Sequence, residues 1–456
     1  MPAIPVIAIF DFGKTNKKLF LFDENYKIVF ERSARFIETV DEDGFPCENL
    51  ESLRQSIFDS LHEVLANQNY LIKAINFSSY GASFVYIDEE GKPVAPIYNY
   101  LKSYDPELKK KFYDTYGGEE NFTHQTASPI LDSLNSGMQL YRIKYEKPSL
   151  FNLIKTALHL PQYLAFLISG RLWSDITSIG CHTNLWDFTS NQYHRWVNEE
   201  GISTKLAPIV ASDAVFPSSF PGEKYLVGVG LHDSSAALIP YLVNFKEPFV
   251  LISTGTWCIS LNPFNESPLT TDELKQDCLC FLSYQSRTVK ASRLFAGNEH
   301  EQQVKRIAAY FGTSAALYRK MRYDSNLAIL MGQSNDNGQE DISLKASKFV
   351  LRDLSGFESD RDAYHQLIYD IIQQQKLSTA LVLKNTNVKQ IFVDGGFSGN
   401  EIYMNMLATA FPDLQVFAAS MAQATAIGTA LAIHQHWNTK PLPQDIIELK
   451  YFAADR

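Results

Sequence analysis

The sequence predicts an α/β protein made of two related halves, and two observations carry that reading. An apolar strand, a polar Gly-containing turn and a second apolar strand run from Val6 to Asp23, and the same layout returns from Pro248 to Leu261. Near the end, Gln390 to Asn400 is an apolar strand entering a glycine turn that leads to a helix over Glu401 to Phe411. With 456 residues, the chain is long enough for two or three cores of ordinary size.

The elements follow in order. Tyr26 to Arg32 extends the first hairpin into a meander, helical spacing covers Leu50 to Leu65, and Ala74 to Ser79 is a further strand. Phe84 to Asp88 reads as a short strand closed by the turn residues Glu89 to Pro93. Ser128 to Ala211 is mostly helical in period, with one helix over Leu150 to Ser169 ended by Gly170. Tyr225 to Gly230 is a strand that passes through Leu231-His232-Asp233 into a helix over Ser234 to Leu242. A last helix, Ala422 to His436, contains Gly428 among small residues, which predicts close packing there, and Gln333 to Glu340 reads as a mobile loop.

Composition narrows the function. There are 41 Lys plus Arg against 51 Asp plus Glu, a formal net charge of −10, and 45% of residues are hydrophobic. An acidic globular chain of this kind is a poor match for nucleic-acid backbone or anionic lipid, so no nucleic-acid and no membrane partner is expected. Five unevenly spaced cysteines with no C-x-x-C pair indicate neither a disulfide framework nor a zinc site. The N-terminal apolar run has no basic leader and stops at Asp11, which reads as a cytoplasmic protein.

Three Gly/Thr-bearing turns, at Asp11 to Lys18, Thr254 to Thr256 and Gly395 to Asn400, each follow an apolar strand. Such turns can offer backbone N–H groups to phosphate oxygens. Gly13-Lys14-Thr15 is no P-loop, since Ala8 stands where the first glycine belongs and a strand follows. Gly228-Val229-Gly230 fails as a dinucleotide fingerprint, because Asp233 takes the third glycine position. Asp233 itself has two readings, a helix N-cap or a general base held where a strand becomes a helix.

Together these segments resemble the FGGY carbohydrate kinases. Asp11-x-Gly13-x-Thr15-x-x-Lys18 resembles their first phosphate loop, Gly230-x-His232-Asp233 their catalytic segment, and Ser253-Thr254-Gly255-Thr256-Trp257 their second phosphate loop. Asp394-Gly395-Gly396-x-x-x-Asn400, with Thr425 to Gly428, is similar to their adenosine region. Within the family the chain is most similar to L-rhamnulose and L-fuculose kinases. Tyr80-Gly81-Ala82-Ser83 resembles the sugar-binding strand end of those enzymes and Asn298 a polar sugar contact. Asp175 and Thr183 lie in the sugar-domain stretch, where a capping role is an equal alternative. There are departures: Lys18 replaces the usual Arg, Tyr98 to Lys102 replaces a charged sugar motif, and Gln423 stands where Glu is frequent.

The resemblance implies two RNase H-like domains of the actin, hexokinase and Hsp70-like fold, 1–244 for sugar and 245–456 for nucleotide, closing a cleft over both. It implies ATP and Mg2+ as cofactors and a small-molecule sugar as partner, phosphorylated at a primary hydroxyl. Asp233 would be the base, and Asp11 would place Mg2+ through its water shell. Gly13, Thr15, Lys18, Gly255 and Thr256 would line the phosphates, and Gly395, Gly396 and Asn400 the adenosine. Gly81, Ala82, Ser83, His232 and Asn298 would meet the sugar. An aromatic wall of Tyr80, Phe84, Tyr98 and Tyr100 favours a 6-deoxy ketose, with ordinary core packing as its alternative. The strand register predicts that Lys18 faces phosphate and that Lys17, on the opposite face, can be lost without effect. Kinases of xylulose, ribulose or glycerol, a non-catalytic sugar sensor and an actin- or chaperone-like ATPase are the competing functions.

Overall fold

The computed structural model describes residues 2–14, 16–35, 38–220, 224–335, 343–345, 347–421 and 423–454. Its contacts divide the chain into two compact units. One comprises 1–244, 280–287 and 423–446, and the other 245–279, 288–422 and 447–456. The first boundary therefore falls after 244, while two later segments, 280–287 and 423–446, pack with the first unit.

In the first unit, β1 (Ile4–Phe12) and β2 (Lys17–Asp23) form the expected antiparallel hairpin, with Asp11 opposite Lys18, and β3 (Ile28–Ala34) continues the meander. Val6 to Phe10 are all buried, which is why β1 reads as an unbroken apolar run rather than an alternating one. After α1 (Leu50–Ala66), β4 (Tyr70–Ser79) lies parallel to β1, placing Ser78 beside Asp11. The later strands Leu226–Gly228 and Leu231–His232 also run parallel to β4, with Leu231 beside Ser78. Three parallel strands thus end together, where α/β sheets place their ligands.

The second unit repeats the plan. Phe249–Thr254 pairs antiparallel with Cys258–Asn262, which pairs antiparallel with Thr288–Leu294. Gln390–Gly395 and then Gln415–Ser420 add parallel on the other side, and Glu448–Phe452 closes the edge antiparallel. Both units therefore have an RNase H-like sheet, a three-stranded meander extended by parallel strands.

Three expected boundaries change. The helix expected over Leu150 to Ser169 is a short helix, Pro148–Leu153, then a strand, Thr156–His159, then a helix, Leu160–Ser169. The strand forms because Thr156 to His159 pairs antiparallel with Phe84–Ile87, and Pro161 fixes the start of the following helix. Gly170, with φ of +66°, ends it as expected. The helix expected from Ser234 spans Asp233–Asn244 and so includes Asp233. The last helix runs Ala424–Ala432 and is followed by His434–Trp437. Most of the loop expected at Gln333 to Glu340 lies outside the described residues, since the helix Ser325–Asn335 covers its start and 336–342 are not described.

Gly428 marks the close approach that its small neighbours suggest. A Cβ at this position would lie 1.9 Å from the Ala236 carbonyl oxygen and 3.1 Å from Pro240 Cδ, so only glycine lets the helix Ala424–Ala432 pack on Asp233–Asn244. Gly428→Ala is expected to lower stability by about 1–3 kcal/mol or more, because a backbone oxygen cannot rotate aside. Gly356→Ala, with open space around the new Cβ, is expected to leave the urea midpoint unchanged. Equal midpoints for the two variants would show that this helix contact is not tight.

Candidate active site

The first unit gathers carboxylates at the ends of its parallel strands. Asp11 ends β1, accepts a hydrogen bond from Ser78 Oγ at 2.9 Å, and has its pKa raised to about 6. Burial is the main cause, repulsion from Asp233 adds to it, and Ser78 and Lys18 oppose it. Asp233 Oδ1 accepts from the Ser234 N–H at 2.6 Å, the very next amide. A capping side chain takes the amide two or three residues on, so this carboxylate is not spent as a conventional cap. It is about one-third exposed, and His232 Nε2 lies 3.3 Å from its Oδ1. Burial holds the His232 imidazole below its usual pKa, against the attraction of Asp233.

Of the predicted sugar residues, Gly81 lies against His232. Gly81 has room for no side chain, since a Cβ would come within 2.9 Å of His232 Nε2 and 3.5 Å of His182 Cε1. Ala82 adopts φ of +61°, and its carbonyl accepts from the buried Gln139 Nε2 at 2.7 Å, which braces the turn. Ser83 is buried, with its carbonyl taking the Leu160 N–H at 3.0 Å. Asn298 belongs to the second unit, in the helix Ala296–Phe311, where its N–H donates to Thr256 O at 3.0 Å.

Three of the four aromatics of the wall, Tyr80, Phe84 and Tyr98, are buried core. Phe84 stacks on the buried His159 at 4.0 Å, and Tyr98 packs beside Tyr86 with Lys102, Arg142 and Lys147 over its ring. Tyr80 packs 6.3 Å from the partly buried Tyr100, and Tyr100 lies within the field of Asp233.

Lys18 shares a face with Asp11 and pairs with Glu31 at 3.1 Å, partly exposed. Lys17 overturns the expectation that it is dispensable. It is 4% exposed, bonds Glu48 at 3.2 Å and donates to Lys14 O at 2.9 Å, so the opposite face of β2 is interior rather than solvent. Gly13 sits in the turn between β1 and β2, and Thr15 lies outside the described residues.

In the second unit the glycine turns enclose a cavity of about 760 Å³, lined among others by Gly255, Gly396, Asn400, His300, Tyr364 and Arg319. Thr254 ties the two turns together. Its carbonyl accepts the Gly396 N–H at 2.8 Å, and its Oγ1 donates to Asp394 O at 2.5 Å while accepting the Phe397 N–H at 3.0 Å. Gly395, with φ of +89°, would put a Cβ 2.0 Å from Thr254 O, so glycine is required there. The amides of Gly255, Gly395 and Gly396 all donate inside the protein, to Trp257 O, Asp394 Oδ1 and Thr254 O. These glycines therefore act by shape rather than by pointing N–H groups outward.

Asn400 caps its helix through the Tyr403 N–H at 3.1 Å and donates to Tyr364 OH at 2.7 Å, and that hydroxyl lies 3.0 Å from His300 Nε2. Burial lowers the His300 pKa to about 4, leaving a neutral ring at the cavity wall. Thr254, His300 and Tyr364 were missed in the sequence. Thr254 stood inside the second Gly/Thr turn, but Tyr364 lies near the start of the helix Asp360–Leu383, 36 residues from Asn400, with no local signal.

Duplicated RNase H-like units, one carrying a carboxylate pair and the other a glycine-framed cavity, define a protein of actin- and hexokinase-like fold. Residues 6–231 match the N-terminal domain of the FGGY family of carbohydrate kinases. That match spans just under half of the chain. It is 23% identical over 277 residues to a rhamnulokinase of Mannheimia succiniciproducens, a match covering 59% of this chain and 55% of that protein. In structure it is similar to a carbohydrate kinase from Novosphingobium aromaticivorans, at TM-score 0.80 and 21% identity, covering 99% of this chain and 95% of the other. A ligand-bound xylulose kinase from Lactobacillus acidophilus has the same fold, at TM-score 0.80 and 15% identity, covering 99% and 94%. No helix among the described residues is long and apolar enough to cross a membrane.

Two predictions follow from the charges. Because the folded pKa of Asp11 lies above its ordinary value of 3.8, its contribution to stability is full below about pH 4 and is lost as pH rises through about 6. Asp11→Asn, measured without added metal, is therefore expected to raise Tm more at pH 7.5 than at pH 5, and an equal gain at both would contradict the shift. Lys17→Ala should cost about 1.5–3 kcal/mol by removing one of the two lysines that hold the buried Glu48, Lys14 keeping its contact at 3.1 Å, whereas Lys18→Ala, losing a partly exposed pair, should cost under about 1. Urea denaturation of the two variants separates the faces of β2.

Proposed function

We propose that the chain is an ATP-dependent carbohydrate kinase that phosphorylates a ketose at a primary hydroxyl, with L-rhamnulose or L-fuculose as the leading substrates. The observation that carries this is the Asp233 carboxylate, uncommitted to helix capping, in the field of Asp11 at the ends of parallel strands. In this reading Asp233 accepts the proton of the attacking hydroxyl, and His232, Gly81, Ala82 and Ser83 shape the sugar site, with Asn298 a further contact. Gly13, Thr15 and Lys18, with Gly255 and Thr256, border the phosphates. Gly395, Gly396 and Asn400 form the wall against which adenosine packs, a role that suits amides already satisfied within the protein.

Magnesium fits the oxygen chemistry of Asp11, Asp233 and Ser78, since Mg2+ favours carboxylates and water. No group of three or more metal-ligating His, Cys, Asp or Glu is found among the described residues. When bound, it would offset charge on the transferring phosphoryl group. Asp11, held by Ser78, would orient its water shell. The deoxy preference rests on Tyr100, the one member of the aromatic wall outside the core, and on the similarity to a rhamnulokinase.

Release of ADP from ATP across a panel of ketoses and polyols tests the proposal. A ketose should stimulate ADP formation, with a higher kcat/KM for a 6-deoxy ketose than for D-xylulose, D-ribulose or glycerol. Asp233→Asn should lower kcat by about 10²–10⁴-fold while ATP still binds. ADP formation indifferent to every sugar would mark an ATPase and overturn the kinase reading. Near wild-type kcat in Asp233→Asn would remove Asp233 from the chemistry.

A further inference from the structure

The peptide leading into Asp233 is tied down by buried side chains from three other elements. Asn76 Oδ1 accepts the Gly230 N–H at 3.2 Å, Gln162 Nε2 donates to Gly230 O at 2.8 Å, and Thr177 Oγ1 accepts the His232 N–H at 3.0 Å. Asn76 and Thr177 are fully buried and Gln162 nearly so.

The third tie differs from the others, because a hydroxyl can turn its proton either way. Thr177 has one hydroxyl proton, and Asp175 Oδ1 takes it while also accepting the Thr177 N–H at 2.9 Å. Ser212 Oγ bonds the other oxygen of Asp175 at 2.5 Å. Burial raises the Asp175 pKa to about 6, so above that pH it is a carboxylate that only accepts, and the Thr177 proton points at Asp175 and its lone pairs at His232. Asp175, Thr177 and Ser212 are all buried, which shields this direction from bulk solvent.

We propose that Asp175 and Thr177 are positioning residues that hold the His232–Asp233 peptide so that the Asp233 carboxylate stays beside Asp11. The need for such a brace is physical. The strand register brings Asp11 and the His232–Asp233 peptide to neighbouring strand ends, where two carboxylates repel and a peptide free to relax would swing Asp233 outward. A small misplacement of a catalytic group is costly, up to about 10²-fold for roughly 1 Å. The proposal assigns the capping-type bond of Asp175 to the Thr177 N–H a second purpose, fixing a hydroxyl one step from the reacting residue. It rests on Asp233 as the acceptor of the substrate proton.

Thr177→Val keeps the shape and removes the hydroxyl, and Thr177→Ser restores it. On the best ketose, Thr177→Val should lower kcat about 10-fold or more with the KM for ATP unchanged, and Thr177→Ser should recover most of the loss. Independently of activity, hydrogen exchange at the His232 amide should accelerate in Thr177→Val and return toward wild type in Thr177→Ser. Ser212→Ala, a milder change that weakens Asp175 while leaving Thr177 in place, should move kcat and exchange in the same direction by less, and serves if Thr177→Val fails to fold. A folded Thr177→Val protein with wild-type kcat and wild-type His232 exchange overturns the proposal. So does a Thr177→Ser protein as impaired as Thr177→Val, since that would place the effect in methyl packing. If the wild type turns over no sugar, the kinase reading falls, and the exchange measurement still decides whether Thr177 holds the peptide.

Discussion

Asp11 and Asp233 carry like charges at the ends of parallel strands, in a setting dry enough to raise the Asp11 pKa to about 6. Folding gains nothing from this arrangement. Much of the surrounding structure offsets it: Ser78 donates to Asp11, Lys18 faces it across the hairpin, and Asn76, Gln162 and Thr177 hold the peptide that carries Asp233. Like-charged carboxylates kept together in spite of this repulsion are a mark of functional sites, where perturbed titrations cluster.

The second unit shows the same sheet put to a different use. Where β1 ends in Asp11, the corresponding strand ends in Thr254, and its oxygens knit two glycine turns into one wall. Gly395 and Gly297 are needed because backbone oxygens approach to 2.0 and 1.7 Å of where a Cβ would stand. The result is a shaped cavity with satisfied amides and a neutral His300, a surface suited to packing against a flat ligand more than to gripping charge.

The meander at Val6, its repeat at Pro248, the glycine turn at Gly395 and the helix contact at Gly428 were all legible in the sequence, because each is a local pattern of apolar period and glycine. The helix expected across Leu150 to Ser169 failed because Thr156 to His159 is claimed by a strand about 70 residues earlier, a pairing no window of sequence contains. Lys17 was misjudged for a similar reason. Alternation correctly put it opposite Lys18, but whether that face meets water or Glu48 depends on the 41–48 segment folding over it. The aromatics at Tyr80, Phe84, Tyr98 and Tyr100 show the limit of residue type alone, since identical chemistry serves core at Phe84 and Tyr98 and flanks the carboxylates at Tyr100.

The electrostatic coupling of Asp11 to Asp233 is open to direct observation by carbon NMR of the Asp11 carboxyl group across pH, in the wild type and in Asp233→Asn. The structure predicts a titration near pH 6 in the wild type that moves to lower pH when the Asp233 charge is removed. An Asp11 titration near the ordinary 3.8, or one that Asp233→Asn leaves in place, would show that the two carboxylates do not share a site and would contradict the account.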